Sequence, residues 1–241
     1  MKSKNKITIL TLLFFLWLNF ANSQNLKILK DSIYIDNSYV ELQELKINSK
    51  NEYAKNKIYR TIQSTYDIFD GLYFDTAEKR IKAKKDTISN RILKGTLKES
   101  NTGFENYEIY YDRNNIINIS IGISSYGLAY TNEQYYNFDL NNGKEIDLSF
   151  FINKKVLLKK CRFKLKIEEG EVNISFQLSD LTNFKIIKDN KNNVKGIDFL
   201  VKDHKNYYHH ANGSYVNIVH FNWKEIEKYI SPQYKNRLLK N

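Results

Sequence analysis

The residues of this chain best suited to bind a metal are its four histidines, all of which lie beyond position 200. His204 follows Asp203, His209 and His210 are adjacent, and His220 comes ten residues later. A zinc site needs three or four such ligands at bonding distance. Because neighbouring residues of an extended segment point to opposite faces, at most one of the adjacent pair faces a given pocket. We therefore expect no metal site, and we keep His209 as a candidate binding residue.

Patterns for nucleophilic or cofactor-dependent catalysis are missing from the sequence. It contains no Gly-x-Ser-x-Gly elbow, phosphate loop or dinucleotide fingerprint. Cys161 is the single cysteine, so no intramolecular disulfide can form, and we expect this thiol to be buried. Glu168, Glu169 and Glu171 fall in a predicted turn, where solvated charge is the ordinary role. The sequence thus indicates no catalytic residue and no cofactor, and it leaves open whether the protein is an enzyme.

Aromatic residues are the unusual content of the chain, which has 18 tyrosines. Tyr207 and Tyr208 stand beside the histidine pair. A tyrosine ring offers apolar area together with a hydroxyl group, which suits protein interfaces and stacking on sugars. The alternative is a tyrosine-rich sheet face that fills the core. Seven further tyrosines cluster on the predicted central strands: Tyr107, Tyr110, Tyr111, Tyr126, Tyr130, Tyr135 and Tyr136.

The N-terminus has the pattern of a secretory signal peptide. Three lysines among the first six residues precede an apolar run over 7–20, and Ala21 and Ser23 are the small residues of a cleavage site before Gln24. The run of about 14 residues is short for a membrane span of roughly 20. We predict cleavage of residues 1–23 and export to the periplasm or the cell exterior. An uncleaved N-terminal anchor is the alternative.

Charge and composition narrow the partner classes. The formal net charge is +11, which favours anionic partners such as envelope polymers. Lys, Asn, Ile and Tyr are abundant together, and this compositional bias alone accounts for much of the charge. An exported protein rarely meets nucleic acid, so we expect no nucleic-acid partner, and after signal cleavage we expect no stable membrane span. Because no linker-like stretch divides residues 24–241, we predict a single domain.

Hydrophobic periodicity predicts an α+β fold: an antiparallel sheet with one early helix and a short C-terminal helix. The first part, residues 24–95, contains a strand over 40–47, a helix from a capping box at Ser49 and Glu52 to Gly71, and a second, very polar helix over 77–89. The main sheet part covers residues 96–241. It contains predicted strands over 107–111, 116–124, 130–140, 161–167, 172–178, 184–187, 197–201 and 215–221, a turn at Asn141-Asn142-Gly143, and a last helix over 223–230.

Two segments resemble the RsiV-like extracellular domain, a family of unknown function. One runs from Tyr136 to Phe151 and includes Asp139-Leu140-Asn141-Asn142-Gly143-Lys144. The other runs from Gly196 through Tyr207-Tyr208 and Ala211-Asn212-Gly213 to Trp223-Lys224-Glu225-Ile226. In the resemblance Gly213 closes a turn between two sheet segments. The Gly-Gly-Ala-His that commonly precedes the first block is Gly127-Leu128-Ala129-Tyr130 here, so Tyr130 stands in place of the family's histidine.

The resemblance implies a cell-envelope module that binds or senses rather than one with a known active site. Family members form the sensor part of lysozyme-binding anti-sigma factors and the non-catalytic part of some peptidoglycan deacetylases. The implied partner is an envelope protein or glycan, such as a lysozyme-like protein or peptidoglycan. We take Tyr130, Tyr207, Tyr208 and His209 as candidate binding residues. A cell-envelope hydrolase is the alternative; acids or histidines that converge in a deep pocket would favour it.

The signal-peptide pattern predicts a defined mature terminus. N-terminal mass spectrometry of protein recovered from the envelope or medium should find a chain that starts at Gln24, because Ala21 and Ser23 satisfy the small-residue requirement of the cleavage site. A recovered chain that still begins at Met1 would contradict export by this route.

Overall fold

The computed structural model describes residues 25–98, 102–126, 131–169, 176–202 and 216–239. The described residues form three antiparallel sheets and five α-helices, which confirms the α+β prediction. The strands are β1 (Leu26–Ile35), β2 (Ser38–Ile47), β3 (Gly103–Arg113), β4 (Ile116–Ser125), β5 (Thr131–Asp139), β6 (Lys144–Glu145), β7 (Phe184–Lys188), β8 (Val194–Lys202) and β9 (Val216–Asn222). The helices are α1 (Glu52–Gln63), α2 (Ala77–Leu93), α3 (Lys154–Glu169), α4 (Trp223–Ile226) and α5 (Pro232–Leu238).

The first sheet is the hairpin of β1 and β2, and sequence analysis missed its first strand. Leu26, Ile33 and Ile35 are buried while the residues between them are more exposed. The turn consists of Asp36 and Asn37 with φ of 46° and 65°. This left-handed pair is the geometry that suits a two-residue hairpin. Asp-Asn supplies it here without a glycine, which is why the turn signal is weak in the sequence.

The central sheet has the strand order β3-β4-β5-β6. Its middle strand β4 is buried over Ile116–Ile123. One face of β4 carries Ile117, Ile119 and Ile121, which share a core cluster with residues of α1 and of the first hairpin. No helix within the described residues is both long and apolar enough to cross a membrane.

The third sheet, β7-β8-β9, is joined to the central sheet by a buried asparagine. Asn118 Nδ2 donates to the carbonyl of Phe184 at 2.8 Å, and Asn118 Oδ1 accepts from the backbone N–H of Ile186 at 2.7 Å. The side-chain amide thus pairs with the free edge of β7 as a neighbouring strand would. Asn118 Nδ2 also donates to Asn137 Oδ1 at 2.7 Å, and Asn137 Nδ2 donates to the carbonyl of Thr182 at 3.2 Å. These bonds satisfy an edge that the core would otherwise leave unpaired.

The core around the third sheet is built mainly from phenylalanines, and the C-terminal segment closes it. The buried rings include Phe150, Phe151, Phe184, Phe199 and Phe221. The C-terminal segment is fastened in turn to the central sheet. There the guanidinium of Arg237 in α5 donates to both carboxylate oxygens of Asp139, at 2.8 and 3.0 Å, and to the carbonyls of Asn114 and Asn115.

The predicted hairpin over 161–178 is wrong. Residues 154–169 form the helix α3, and residues 170–175 lie outside the described residues. Apolar residues at 161, 163, 165 and 167 fit a strand period, but Leu157, Cys161 and Leu165 also fit a helix period, and these three are the buried ones. Cys161 is buried as expected, and burial raises the pKa of its thiol to about 12.

The other helix boundaries also differ from prediction. The N-cap of α1 is Asn51, whose Oδ1 accepts from the backbone N–H of Ala54, so the cap is not at Ser49. The helix ends at Gln63, eight residues before the predicted stop at Gly71. The second helix continues to Leu93. The C-terminal helix is short, as predicted, but it breaks into α4 and a 3₁₀ turn, and the additional helix α5 follows with proline at its first position.

Gly143 lies where the turn after β5 meets the first turn of α1. Its φ is +66°, and a Cβ built there would stand 2.5 Å from the Ala54 carbonyl oxygen and 2.8 Å from Ala54 Cα. Real Cβ atoms do not approach backbone so closely, so a side chain at this position would push α1 away from the sheet. The turn therefore requires glycine for two reasons, the left-handed angle and the close approach.

Gly143→Ala should lower the free energy of unfolding by about 2–4 kcal/mol, because overpacking adds to backbone strain. Urea denaturation measures the change. Gly95→Ala is the matched control, since Gly95 has φ +68° with nothing within 4 Å of a Cβ, and it should cost only about 1 kcal/mol. Equal losses in the two variants would mean that the contact with Ala54 contributes nothing.

Candidate functional site

The predicted binding residues Tyr130, Tyr207, Tyr208 and His209 lie outside the described residues, as does Gly213. Their roles stay predictions. Three other groups of described residues are candidates for a functional site: a buried charge cluster, a tyrosine pair on the central sheet, and the residues that line an open groove.

His220 is the one predicted candidate metal ligand that the described residues include. It lies on β9 opposite Asp198 of β8, and its Nδ1 is 2.6 Å from Asp198 Oδ1. Within the described ranges no three His, Cys, Asp or Glu side chains are arranged to hold a metal ion. The pair is a cross-strand contact on the exposed side of the sheet.

Four charged side chains are buried together between the first hairpin, α2 and β3. Arg80 Nη1 lies 2.6 Å from Glu44 Oε2 and 3.0 Å from Glu105 Oε2. Lys84 Nζ lies 2.5 Å and 2.6 Å from the same two carboxylate oxygens. All four side chains are at most 6% exposed. The helix produces this arrangement, because residues 80 and 84 are one turn apart and face inward together.

The tyrosine hydroxyl of Tyr107 completes the charge cluster. It donates to Glu105 Oε1 at 3.1 Å. Burial, followed by the nearby carboxylates, raises the pKa of Tyr107 well above its ordinary value. Burial alone would raise the pKa of Glu105 as well, but Lys84 and Arg80 outweigh burial and hold that pKa below its ordinary value. The stabilisation from Glu105 is therefore present above the unfolded-state pKa of about 4.3 and is lost as the pH falls through the folded-state pKa.

The charge cluster is a structural element rather than an active site. Its two carboxylates are each held by two cations, so neither is free to accept a substrate proton. The adjoining cavity, lined in part by Tyr66, Ile88 and Phe104, has a volume of about 10 Å³, which is space for at most one water. The convergent acids that a hydrolase would need thus exist here without room for a substrate.

A stacked tyrosine pair covers the other face of the central sheet. The ring centroids of Tyr110 and Tyr135 are 6.5 Å apart. Tyr110 donates to Glu108 Oε2 at 2.6 Å, and Tyr135 donates to Glu133. The ammonium of Lys185 from β7 lies 4.6 Å and 5.2 Å from the two ring centroids. The Lys185 ammonium, a cation of the chain itself, therefore already contacts both tyrosine rings.

Most of the central tyrosines serve the core. Tyr107, Tyr111 and Tyr135 are at most 7% exposed. The exposed tyrosines lie elsewhere, with Tyr34 and Tyr39 packed edge to face at the tip of the first hairpin. The broad exposed tyrosine patch that would favour a binding surface is not present on the described central strands.

An open groove of about 140 Å³ lies where the third sheet meets the end of the central sheet. It is lined by Tyr111, Arg113, Asn192, Asn193, Val194, Trp223, Leu238 and Leu239. These residues come from the end of β3, the turn between β7 and β8, the start of α4 and the end of α5. The groove is thus assembled from four segments that are far apart in the sequence.

Local structure fixes the polar side of the groove. Asp189 Oδ1 accepts from the backbone N–H groups of Lys191 and Asn193 at 2.9 and 2.8 Å, and Asn192 has φ +63°. Hydrogen bonds from Asn193, first its side-chain amide and then its backbone N–H, lower the pKa of Asp189 to about 2. Asparagine tolerates the left-handed angle, so this turn holds two amides beside the groove.

The aromatic side of the groove is set by the cap of α4. Asn222 Oδ1 accepts from the backbone N–H of Glu225 at 3.2 Å, and Glu225 Oε2 accepts from that of Asn222 at 3.0 Å. This capping box places Trp223 at the first helical position. Trp223 and Arg113 are both partly exposed. Neither the indole nor the guanidinium has a hydrogen-bond or ion-pair partner within the described parts of the chain, so both can donate to a ligand.

Comparisons with known proteins show the fold. No family model matches the sequence, and no curated protein matches it. The structure is similar to the crystal structure of a member of the DUF3298 family, BF2082 from Bacteroides fragilis, with a TM-score of 0.51 at 11% sequence identity. The likeness covers 91% of this chain and 100% of the other. The fold is therefore that of a protein from an uncharacterised family, and the likeness carries no activity.

The sequence predicted some of the segments that line the groove but not that these segments meet. The strands over 184–187 and 197–201, which flank the turn with Asn192 and Asn193, and the start of the last helix were both predicted, yet the sequence gives no sign that this turn and helix meet beside Arg113. The buried charge cluster was missed too, although the spacing of Ala77, Arg80, Lys84 and Ile88 along one helix face was a readable signal.

Arg80→Met should lower the free energy of unfolding by about 3–5 kcal/mol, because it leaves two buried carboxylates with one cation. Denaturant unfolding at neutral pH measures the loss. Arg60→Met is the matched control, since Arg60 is exposed on α1, and it should change stability by less than about 1 kcal/mol. Similar small losses in both variants would show that the charge cluster does not hold the hairpin, α2 and β3 together.

Proposed function

We propose that this protein is an exported cell-envelope module of the RsiV-like kind that binds or senses a protein or glycan partner. The signal-peptide pattern supports the compartment. The two sequence blocks that resemble the RsiV-like domain support the class, and the structural likeness to a DUF3298 protein is compatible with it.

The make-up of the groove carries the proposal. A binding pocket commonly combines apolar walls with a few placed polar groups that orient the ligand. Here Trp223 and Leu239 supply apolar surface, and Arg113, Asn192 and Asn193 supply donors and acceptors. An indole face beside amide and guanidinium groups suits a sugar ring, which presents C–H groups on its face and hydroxyls on its rim. The groove thus favours the glycan over the protein partner.

The residues that line the groove favour binding of a glycan over its cleavage. Among the described residues that line the groove there is no Asp, Glu, His, Ser or Cys. General acid–base or nucleophilic cleavage of a glycan would need a proton-transferring or nucleophilic group within reach of the bond. Among these lining residues Tyr111 alone carries such a group, and it is buried with its pKa raised by that burial, which disfavours the role. The buried carboxylates Glu44 and Glu105 are enclosed in the charge cluster and cannot serve this groove.

Trp223 allows the proposal to be tested directly. The chain has two tryptophans, and the other, Trp17, lies in the predicted signal peptide, so the mature protein should report on the groove by its own fluorescence. Titration with soluble peptidoglycan fragments should shift the Trp223 emission and saturate. Lysozyme is titrated in parallel as the protein partner.

Arg113→Gln and Asn192→Gly should each weaken glycan binding by about tenfold, which corresponds to the loss of about 1.4 kcal/mol. Glycine at position 192 keeps the left-handed backbone angle, so the variant removes the amide without straining the turn. Tyr53→Ala is the control, because Tyr53 is 72% exposed on α1 and does not line the groove. Glycan affinity that is unchanged in both groove variants, or binding to lysozyme alone, would overturn the assignment of the groove.

A further inference from the structure

Helix α3 has two apolar faces, and only one of them is buried. Leu157, Cys161 and Leu165 are at most 4% exposed and pack in the core. On the opposite side, Val156, Phe163 and Ile167 are 50%, 67% and 66% exposed. At about 100° of rotation per residue, these three side chains lie within roughly 40° of one another. We call Val156, Phe163 and Ile167 the outer stripe.

The outer stripe consists of Phe163 and Ile167 on adjacent helical turns and of Val156 two turns before Phe163, with Lys159 and Lys160 at the turn between them. It extends about 16 Å along the helix at 1.5 Å per residue. Ile152, two residues before the first residue of the helix, is a further exposed apolar side chain at 39%. Single exposed apolar residues are ordinary on a soluble protein, whereas a contiguous exposed patch marks an interaction surface.

Cations border the outer stripe on both sides. Helix α3 contains seven Lys or Arg residues and two Glu residues. By helical position, Lys155, Lys159 and Lys166 lie along one border of the stripe and Lys160 lies along the other. None of these four forms an ion pair with a side chain that the structure describes, and Lys160 Nζ lies 5.8 Å from the ring centroid of Tyr229. Lys164, by contrast, is turned to the core side, where it contacts Glu225 at 3.1 Å.

We propose that the outer stripe docks α3 on an anionic lipid surface. An amphipathic helix binds in the plane of a membrane when apolar side chains enter the acyl boundary and lysines along the flanks reach the head groups. Phe163 and Ile167 would supply the apolar insertion, and the lysines along the two borders would attract the phosphate groups. The mature chain keeps a net charge of +8, which is the full-chain +11 less the three lysines of the signal peptide, and this charge adds long-range attraction to such a surface.

Charge complementarity favours a lipid surface over a protein groove as the occupant. A narrow apolar row with cations on both sides matches an interface that is apolar in the middle and uniformly anionic around it. The proposal does not depend on the glycan groove, because no residue of the stripe lines that groove.

Vesicle co-sedimentation of the mature protein tests the proposal. The protein should bind vesicles of equimolar phosphatidylcholine and phosphatidylglycerol at least tenfold more tightly than vesicles of phosphatidylcholine alone, and salt should weaken the binding. The double variant Phe163→Ser, Ile167→Ser should lose at least tenfold in affinity. The double variant Lys159→Gln, Lys166→Gln should lose the preference for the anionic vesicles.

Leu93→Ser is the matched control, because Leu93 is 84% exposed at the end of α2 and lies outside the stripe. It should bind vesicles as the wild type does. All variants change exposed side chains, so their thermal midpoints should stay close to that of the wild type, which separates lost docking from lost folding. Glycan titration of the stripe variants should be unchanged, so that failure of docking and failure of the groove are distinguishable.

Three results would overturn the proposal. The first is that the wild type fails to bind anionic vesicles. The second is that the stripe variant and the control variant bind these vesicles equally well. The third is that sedimentation shows a dimer that Phe163→Ser, Ile167→Ser converts to a monomer, so that a second copy of the chain covers the stripe instead of lipid.

Discussion

Two buried carboxylates must be neutralised before the N-terminal half of this protein can pack. Glu44 comes from the first hairpin and Glu105 from the central sheet, and both are essentially excluded from water. Arg80 and Lys84, one helical turn apart on α2, bring the two matching positive charges. An unpaired buried charge would cost several kcal/mol, so an arrangement of hairpin, helix and sheet that brings both cations to both carboxylates is favoured over one that separates them. The charge cluster thus fixes geometry rather than performing chemistry.

The junction between the central sheet and the third sheet also depends on a buried polar group, which here is an uncharged side-chain amide. The side-chain amide of Asn118 pairs with the edge of β7 and closes it as a neighbouring strand would. Arg237 then fastens the last helix to the end of β5 and the turn before β4. These two contacts determine where α5 and the β7–β8 turn lie relative to Arg113. Satisfied polar groups at the junction of the central and third sheets thus hold in place the elements that line the groove.

The two proposed surfaces differ in how they arise. The groove forms at the junction of the central and third sheets, and its lining residues come from four segments. The outer stripe belongs to one helix, and α3 can present it because its opposite face alone supplies what the core needs. An envelope protein that uses both surfaces would be held at a lipid surface while its groove samples glycan, two contacts that strengthen each other through effective concentration.

The sequence by itself determined the fold class, the β3–β4 and β7–β8 hairpins and the turn at Gly143, because period-two alternation and Asn/Gly turns are local properties. Export stays a prediction from the N-terminal pattern. The sequence did not determine whether residues 161–167 form a strand or a helix. The spacing of their apolar residues fits both the strand period and the helix period. Packing selects the helix, because Leu157, Cys161 and Leu165 then lie on one face and are buried in the core. The spacing of Arg80 and Lys84 on one helix face signals two inward cations, but the sequence could not reveal their partners or the groove. Glu44 and Arg80, or Arg113 and Trp223, meet only through long-range packing, which no local pattern encodes.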